Sequence, residues 1–159
     1  MQSGIKNLVW LLLSLAIVCF DQLSKLYAVK YLSLYQPLPL VPFFNLTLAH
    51  NTGAAFSFLG SAGGWQRWFF AFIALVVSIA CLVWLYRSPA RGKLLLAAIS
   101  LLLGGALGNL WDRLAYGYVI DFIDLYVGDW HWPIFNIADA AICIGVAIIA
   151  MTSLKKQDD

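Results

Sequence analysis

The stretch Pro133 to Met151, PIFNIADAAICIGVAIIAM, is apolar enough to sit in lipid, yet it carries Asn136 and Asp139 three residues apart near its start. An ionisable side chain at membrane depth is costly and normally faces a partner or a wet cavity. Asp139 has no basic residue one turn away on its own helix, so its partner must come from elsewhere in the fold. Other polar residues recur in similarly apolar surroundings. Asp21 and Lys25 stand at i and i+4 with the acid first, and Asn109 and Arg113 share a helix face by the same spacing. Gly104 and Gly108 precede the latter pair with a GxxxG-like spacing that lets a second helix approach closely. Asp121 lies between Ile120 and Phe122 in YGYVIDFIDLY, an apolar return segment able to dip to the interface and present its carboxylate to a bundle.

Two carboxylates brought together at low dielectric cannot both ionise comfortably, so one holds a proton near neutral pH while the other stays charged. The charged member can take a proton from water as it attacks a peptide carbonyl, and the protonated member can donate to the carbonyl oxygen. Other peptidase chemistries lack their parts. With His50 and His131 as the only histidines and no HExxH, a zinc site has no ligand set. The near miss to a GxSxG elbow, Gly60-Ser61-Ala62-Gly63, has no obvious base. Ser24 and Lys25 are adjacent on a helix and do not face one another.

The composition says what must position these groups. A chain of 159 residues that is 62% hydrophobic, 15% aromatic and 11% charged is a multi-span membrane protein. About 20 apolar residues cross a hydrocarbon core, and four such spans are expected, at about 5–27, 65–86, 94–111 and 134–153. They leave external loops at 28–64 and 112–133 and little chain for a soluble domain, so residues 1–159 read as one membrane domain. The first span has no small-x-small cleavage site after it and reads as retained. Val18 before Cys19 argues against a lipid attachment site there. Lys6, Arg87, Arg91, Lys93, Lys155 and Lys156 flank the spans on one side, which places both termini in the cytoplasm. The formal charge of +2 is thus a topology signal and carries no indication of nucleic acid. Trp65, Trp68, Trp84, Trp111, Trp130 and Trp132 fall near span ends, as interfacial indoles do. Cys19, Cys81 and Cys143 lie inside apolar spans without metal-ligand spacing and read as small hydrophobes.

In the first loop, Pro37, Pro39 and Pro42 pin an extended approach, and FFNLTLAHNTGAAFSFL alternates around Asn51-Thr52-Gly53, which predicts a hairpin or small sheet on the outer leaflet. Asp21, Lys25, Asn109, Arg113, Asn136 and Asp139 all fall towards the external side, at the level where Asp121 arrives. Asp21 with Lys25 reads as a structural pair that satisfies itself at the interface, Asn109 also fits simple interhelical bonding, and Asp112 and Asp124 read as solvated loop carboxylates.

Five segments in order, DQLSK at 21–25, NTGAAFS at 51–57, GNLWDR at 108–113, VIDF at 119–122 and FNIAD at 135–139, resemble the successive motifs of the bacterial lipoprotein signal peptidase family, signal peptidase II. The resemblance covers nearly the whole chain, with no departure at the motif positions. It implies a four-helix membrane peptidase of the bacterial inner membrane with a small β-rich external part. Such an enzyme removes the signal peptide from prolipoproteins whose cysteine carries diacylglycerol, with its active site near the periplasmic face. By the resemblance, Asp121 and Asp139 are the catalytic pair, and Asn109, Arg113 and Asn136 line the site. Asn51 and Gly53 match the outer-leaflet loop that helps hold substrate, and Asp21 and Lys25 match a supporting motif. No metal or organic cofactor is implied, and the expected partners are diacylated prolipoprotein and membrane lipid, with the chain a monomer. The residues alone leave open which aspartate carries the shared proton and whether Asp21 and Lys25 serve folding or catalysis. A proton or ion transporter needs a polar path to both faces, which the almost purely apolar cytoplasmic halves do not offer. A non-enzymatic membrane subunit would tolerate loss of either Asp121 or Asp139.

The charge asymmetry predicts sidedness directly. In a background lacking the native cysteines, a cysteine at position 129 should react with an impermeant reagent from outside, and one at position 91 should not. External labelling at 91 would overturn the map.

Overall fold

The computed structural model describes residues 5, 7–53, 64–88 and 92–154. Lys6, Arg91, Lys155 and Lys156, on which the orientation largely rests, lie outside these residues, as do positions 54–57 of the second motif and Gly60 to Gly63. Among the described residues, four helices are long and apolar enough to cross a membrane. A short 3-10 turn, Leu8–Trp10, leads into α1, Leu11–Tyr31; α2 is Trp65–Arg87, α3 is Lys93–Ala115 and α4 is Ile137–Leu154. A four-stranded sheet is formed by β1, Leu38–Val41, β2, Phe44–Asn51, β3, Val119–Val127, and β4, Trp130–His131, in spatial order β1-β2-β3-β4, all antiparallel.

α3 is the middle of the bundle and packs against the other three helices. Of its 23 residues, 13 are buried, and small residues make that possible. A Cβ added at Gly104 would lie 2.8 Å from both the Ser14 carbonyl oxygen and Ile17 Cβ of α1. One added at Gly105 would strike the Ala138 carbonyl of α4, and one at Gly108 would come to 2.7 Å from Asp21 Oδ2. The GxxxG spacing therefore does more than admit a helix, because Gly108 also leaves room for a carboxylate. Away from the polar layer, Cys81, Leu85, Leu96, Ile99 and Leu103 form a fully apolar core between α2 and α3. Asn7 donates to the Leu85 and Ser88 carbonyl oxygens at 3.2 and 2.8 Å, which satisfies acceptors that the end of α2 leaves without helical partners.

Of the hairpin or small sheet expected in the first loop, a sheet is present, and the segment expected to return after Asn51-Thr52-Gly53 lies outside the described residues. β2 ends at Asn51; it pairs with β1 across a turn at Pro42 and Phe43, where Phe43 has φ 70°, and with β3 from the second loop. Pro39 is tolerated because β1 is an edge strand, where a missing N–H breaks no central ladder. The apolar return segment expected to present Asp121 to the bundle is strand β3, and Asp121 does meet Asn136 at the start of α4. Asp121 sits opposite Ala49 in its register, and Ile120 and Phe122 join Ala28 and Leu48 in a second apolar cluster. α3 also continues past Trp111, so Asp112 and Arg113 belong to its last turn and not to a loop.

Gly108 gives the sharpest packing test. Gly108→Ala should displace Asp21 and destabilise the protein by about 1–3 kcal/mol, the range for overpacking a well-filled interior. Thermal unfolding in detergent measures it, and an unchanged midpoint would show that the close approach is slack.

Candidate active site

The start of α4 is a capping box. The Asp139 N–H donates to Asn136 Oδ1 at 2.9 Å, and the Asn136 N–H donates back to Asp139 Oδ2 at 3.4 Å. A second free N–H of this first turn, that of Ala138, donates to Asp21 Oδ1 at 2.9 Å, so a carboxylate from α1 caps a different helix. Two acids thus meet the positive end of the α4 dipole.

Lys25 is 1% exposed and its ammonium lies between two carboxylates that are 0% exposed, 2.7 Å from Asp21 Oδ2 and 2.8 Å from Asp112 Oδ2. Its third contact is Asn109 Oδ1 at 3.3 Å. The sequence predicts that Asp21 and Lys25 satisfy one another at the interface and that Asp112 stands in solvent. The expected ion pair is present and has gained two further partners, while Asp112 is buried and not in solvent, both for one reason: a cation buried here gathers every acceptor within reach. Gln22, which the sequence did not single out, donates to Asp112 Oδ1 at 2.8 Å and to Asp21 Oδ2 at 3.1 Å. Asp112 Oδ2 also accepts the Ile120 N–H at 3.1 Å, so the charge centre anchors the start of β3.

Asp121, 2% exposed, is the neighbour of that anchored residue. It accepts from Asn136 Nδ2 at 2.6 Å and from Asn51 Nδ2 at 3.0 Å. Asn51 Oδ1 accepts the Gly53 N–H at 3.0 Å, and Arg113 holds the Gly53 carbonyl at 2.9 Å while bonding its own helix at the Asn109 carbonyl. The Arg113 guanidinium also lies 5.5 Å from the Phe70 ring centre. Asp139, partly buried, accepts from Asn109 Nδ2 at 2.7 Å. All nine candidate residues from the sequence therefore fall in one bonded network, and Asn136 touches both Asp121 and Asp139. Burial, and then the charge of Asp139, raise the Asp121 carboxyl to about 7 against the pull of its amide donors and Lys25. An acid poised there beside a second carboxylate can run acid–base chemistry near neutral pH.

Asp124, also expected in solvent, is 1% exposed. It points into the sheet and accepts from Thr47 Oγ1 at 2.8 Å and Asn45 Nδ2 at 3.2 Å, with His131 Nδ1 at 2.7 Å. Burial works against its charge, but these three partners outweigh it and hold the carboxyl below its ordinary range. The correction follows from register: Asn45 lies directly across from Asp124 on β2. Among the described residues, no group of three or more His, Cys, Asp or Glu is placed to hold a metal ion.

Residues 13–155 match the family model described as signal peptidase (SPase) II. The chain is 53% identical over 150 residues to the lipoprotein signal peptidase of Photorhabdus laumondii, covering 94% of this chain and 90% of that one. It is 56% identical over 138 residues to the protein of the same name from Alteromonas mediterranea, covering 87% and 76%. Two solved structures, each of a bacterial membrane enzyme studied by the in meso method, superpose with TM-scores of 0.84 and 0.80 at 35% and 34% identity. They cover 94% and 92% of this chain, and 89% and 93% of their own.

The raised Asp121 carboxyl makes stability depend on pH. A carboxyl held above its unfolded value stabilises the fold only while protonated; that contribution is complete below 3.8 and lost as pH rises through about 7. Asp121→Asn cannot ionise, so its thermal midpoint relative to the native chain should climb between about pH 4 and pH 7, by the equivalent of on the order of 2–4 kcal/mol, and then level off. A flat difference across that window would mean that Asp121 ionises normally.

Proposed function

The chain belongs to the signal peptidase II family, and from that premise we propose that Asp121 and Asp139 are the acid–base pair with which it cuts the signal peptide from diacylglyceryl-modified prolipoproteins, on the N-terminal side of the lipidated cysteine. The observation that carries this reading is the position of Asn136, which holds one carboxylate through its side chain and the other through its backbone. That contact brings a strand residue and a helix residue to one point. The charged carboxylate takes a proton from water while the water oxygen bonds to the scissile carbonyl carbon, and the protonated one gives its proton to the carbonyl oxygen. Collapse of the tetrahedral adduct breaks the C–N bond; the leaving amine takes up the proton drawn from water, and a hydroxyl of the adduct returns its proton to the carboxylate that gave one, which restores the pair. Arg113 and Asn51 fix the backbone at Gly53 beside Asp121, and on this reading Asn51 and Gly53 help hold the peptide.

The same reading sets the chain in the inner, cytoplasmic membrane as a multi-pass monomer with both termini cytoplasmic. The sheet then lies on the outer leaflet and the polar layer meets a cleavage site near the periplasmic surface. The exposed Leu38, Leu40, Val41, Trp130 and Trp132 suit a sheet resting on lipid. Acyl chains reach the site laterally from the bilayer.

Asp121→Asn and Asp139→Asn should each abolish conversion of diacylated prolipoprotein to its mature form, with the protein present in normal amounts. The double variant should be scarcely worse than either single one, since groups that act as a unit are not additive. Substantial processing by either single variant would sink the mechanism. Asp124→Asn is not an inert comparison, because loss of the carboxylate weakens three contacts within the sheet.

A further inference from the structure

We infer, resting on the aspartate pair proposed above, that Lys25 is a positioning residue which acts through Asn109 to make Asp139 the water-activating base and leave the shared proton on Asp121. A primary amide has an acceptor end and a donor end of nearly the same shape, so its orientation is decided by partners that can only donate. Each asparagine in the site has one. Asn109 Oδ1 faces the Lys25 ammonium at 3.3 Å, Asn51 Oδ1 faces the Gly53 N–H at 3.0 Å, and Asn136 Oδ1 faces the Asp139 N–H at 2.9 Å. All three amides must therefore turn their N–H groups outward, onto Asp139 at 2.7 Å from Asn109, and onto Asp121 at 3.0 and 2.6 Å from Asn51 and Asn136.

The locks are unequal. A full charge stands behind the Asn109 amide, whereas neutral backbone N–H groups stand behind the other two. Asp139 also sits in the first turn of α4 and accepts the N–H of the capping residue, where a helix dipole favours negative charge. Asp121 lies within a strand and gains no such dipole. The charged groups around the pair are Lys25 and Asp21 from α1 and Asp112 and Arg113 from α3. Arg113 feels the charge of Asp139 more than that of Asp121, so it too favours the charge on Asp139. Counting the pair, four carboxylates share two cations, and a proton on one of them brings the layer to a net charge of −1. It belongs on the acid that is more buried and lacks the charged lock, which is Asp121.

The test is the pH profile of cleavage, resolved into kcat and KM. If Asp139 is the base, Asn109→Leu removes the donor from its charged form. The acid limb of kcat/KM should then move up by about one pH unit, kcat should fall at least about tenfold and KM should change little. Asn51→Leu removes a donor from Asp121 and should move the alkaline limb up instead. Should Asn109→Leu fail to accumulate, the charge-balanced pair Lys25→Met with Asp112→Asn should shift the acid limb in the same sense. Reversed limbs, or activity lost with neither limb moved, would overturn the inference. Cleavage by Asp121→Asn or Asp139→Asn, measured alongside, would instead remove the aspartate pair itself.

Discussion

A charge cannot be left alone among hydrocarbon, and the polar layer of this protein is organised by one buried ammonium. Lys25 draws Asp21 and Asp112 into contact from two helices. Each carboxylate has a further partner, since Asp21 caps the start of α4 and Asp112 accepts the Ile120 N–H near the start of β3. The two elements that carry Asp139 and Asp121 are in this way fixed to a common centre. Removing one partner from such a set leaves an uncompensated buried charge, typically a loss of about 3–5 kcal/mol. Folding and positioning are consequently hard to separate at Asp21 and Lys25, because the same contacts serve both.

The glycines of α3 are the geometric counterpart of that electrostatic demand. Carboxylate and ammonium side chains on neighbouring helices meet within hydrogen-bond distance only if the backbones lie close, and Gly104, Gly105 and Gly108 remove the Cβ atoms that would hold them apart. The sheet supplies the remaining constraint. Its register against β2 sets Asp121 beside Asn51, while the Asp124 contacts with Thr47 and His131 tie the other end of the strand. Asp121 therefore has little freedom to leave the site.

Much of this was legible in the residues. Intramembrane polar groups at helical spacing marked Asn109, Arg113, Asn136 and Asp139, and the apolar setting of Asp121 marked it as facing inward. The capping role of Asn136 was not read, because the expected span begins at 134, before the residue that starts the helix. Also missed were acids whose partners lie far away in the chain. Asp112 meets Gln22 across 90 positions and Asp124 meets Thr47 across 77, and no local pattern carries that information. Helix ends escaped for a related reason: α3 runs on through Asp112 and Arg113 because tertiary partners make charged residues welcome there.

The most direct measurement is difference infrared spectroscopy of the carboxyl C=O stretch at about pH 6, below the value of about 7 to which Asp121 is raised. A proton held on Asp121 predicts a protonated-carboxyl signal in the native protein that disappears in Asp121→Asn. A native protein without that signal, or a signal that survives Asp121→Asn, would contradict it.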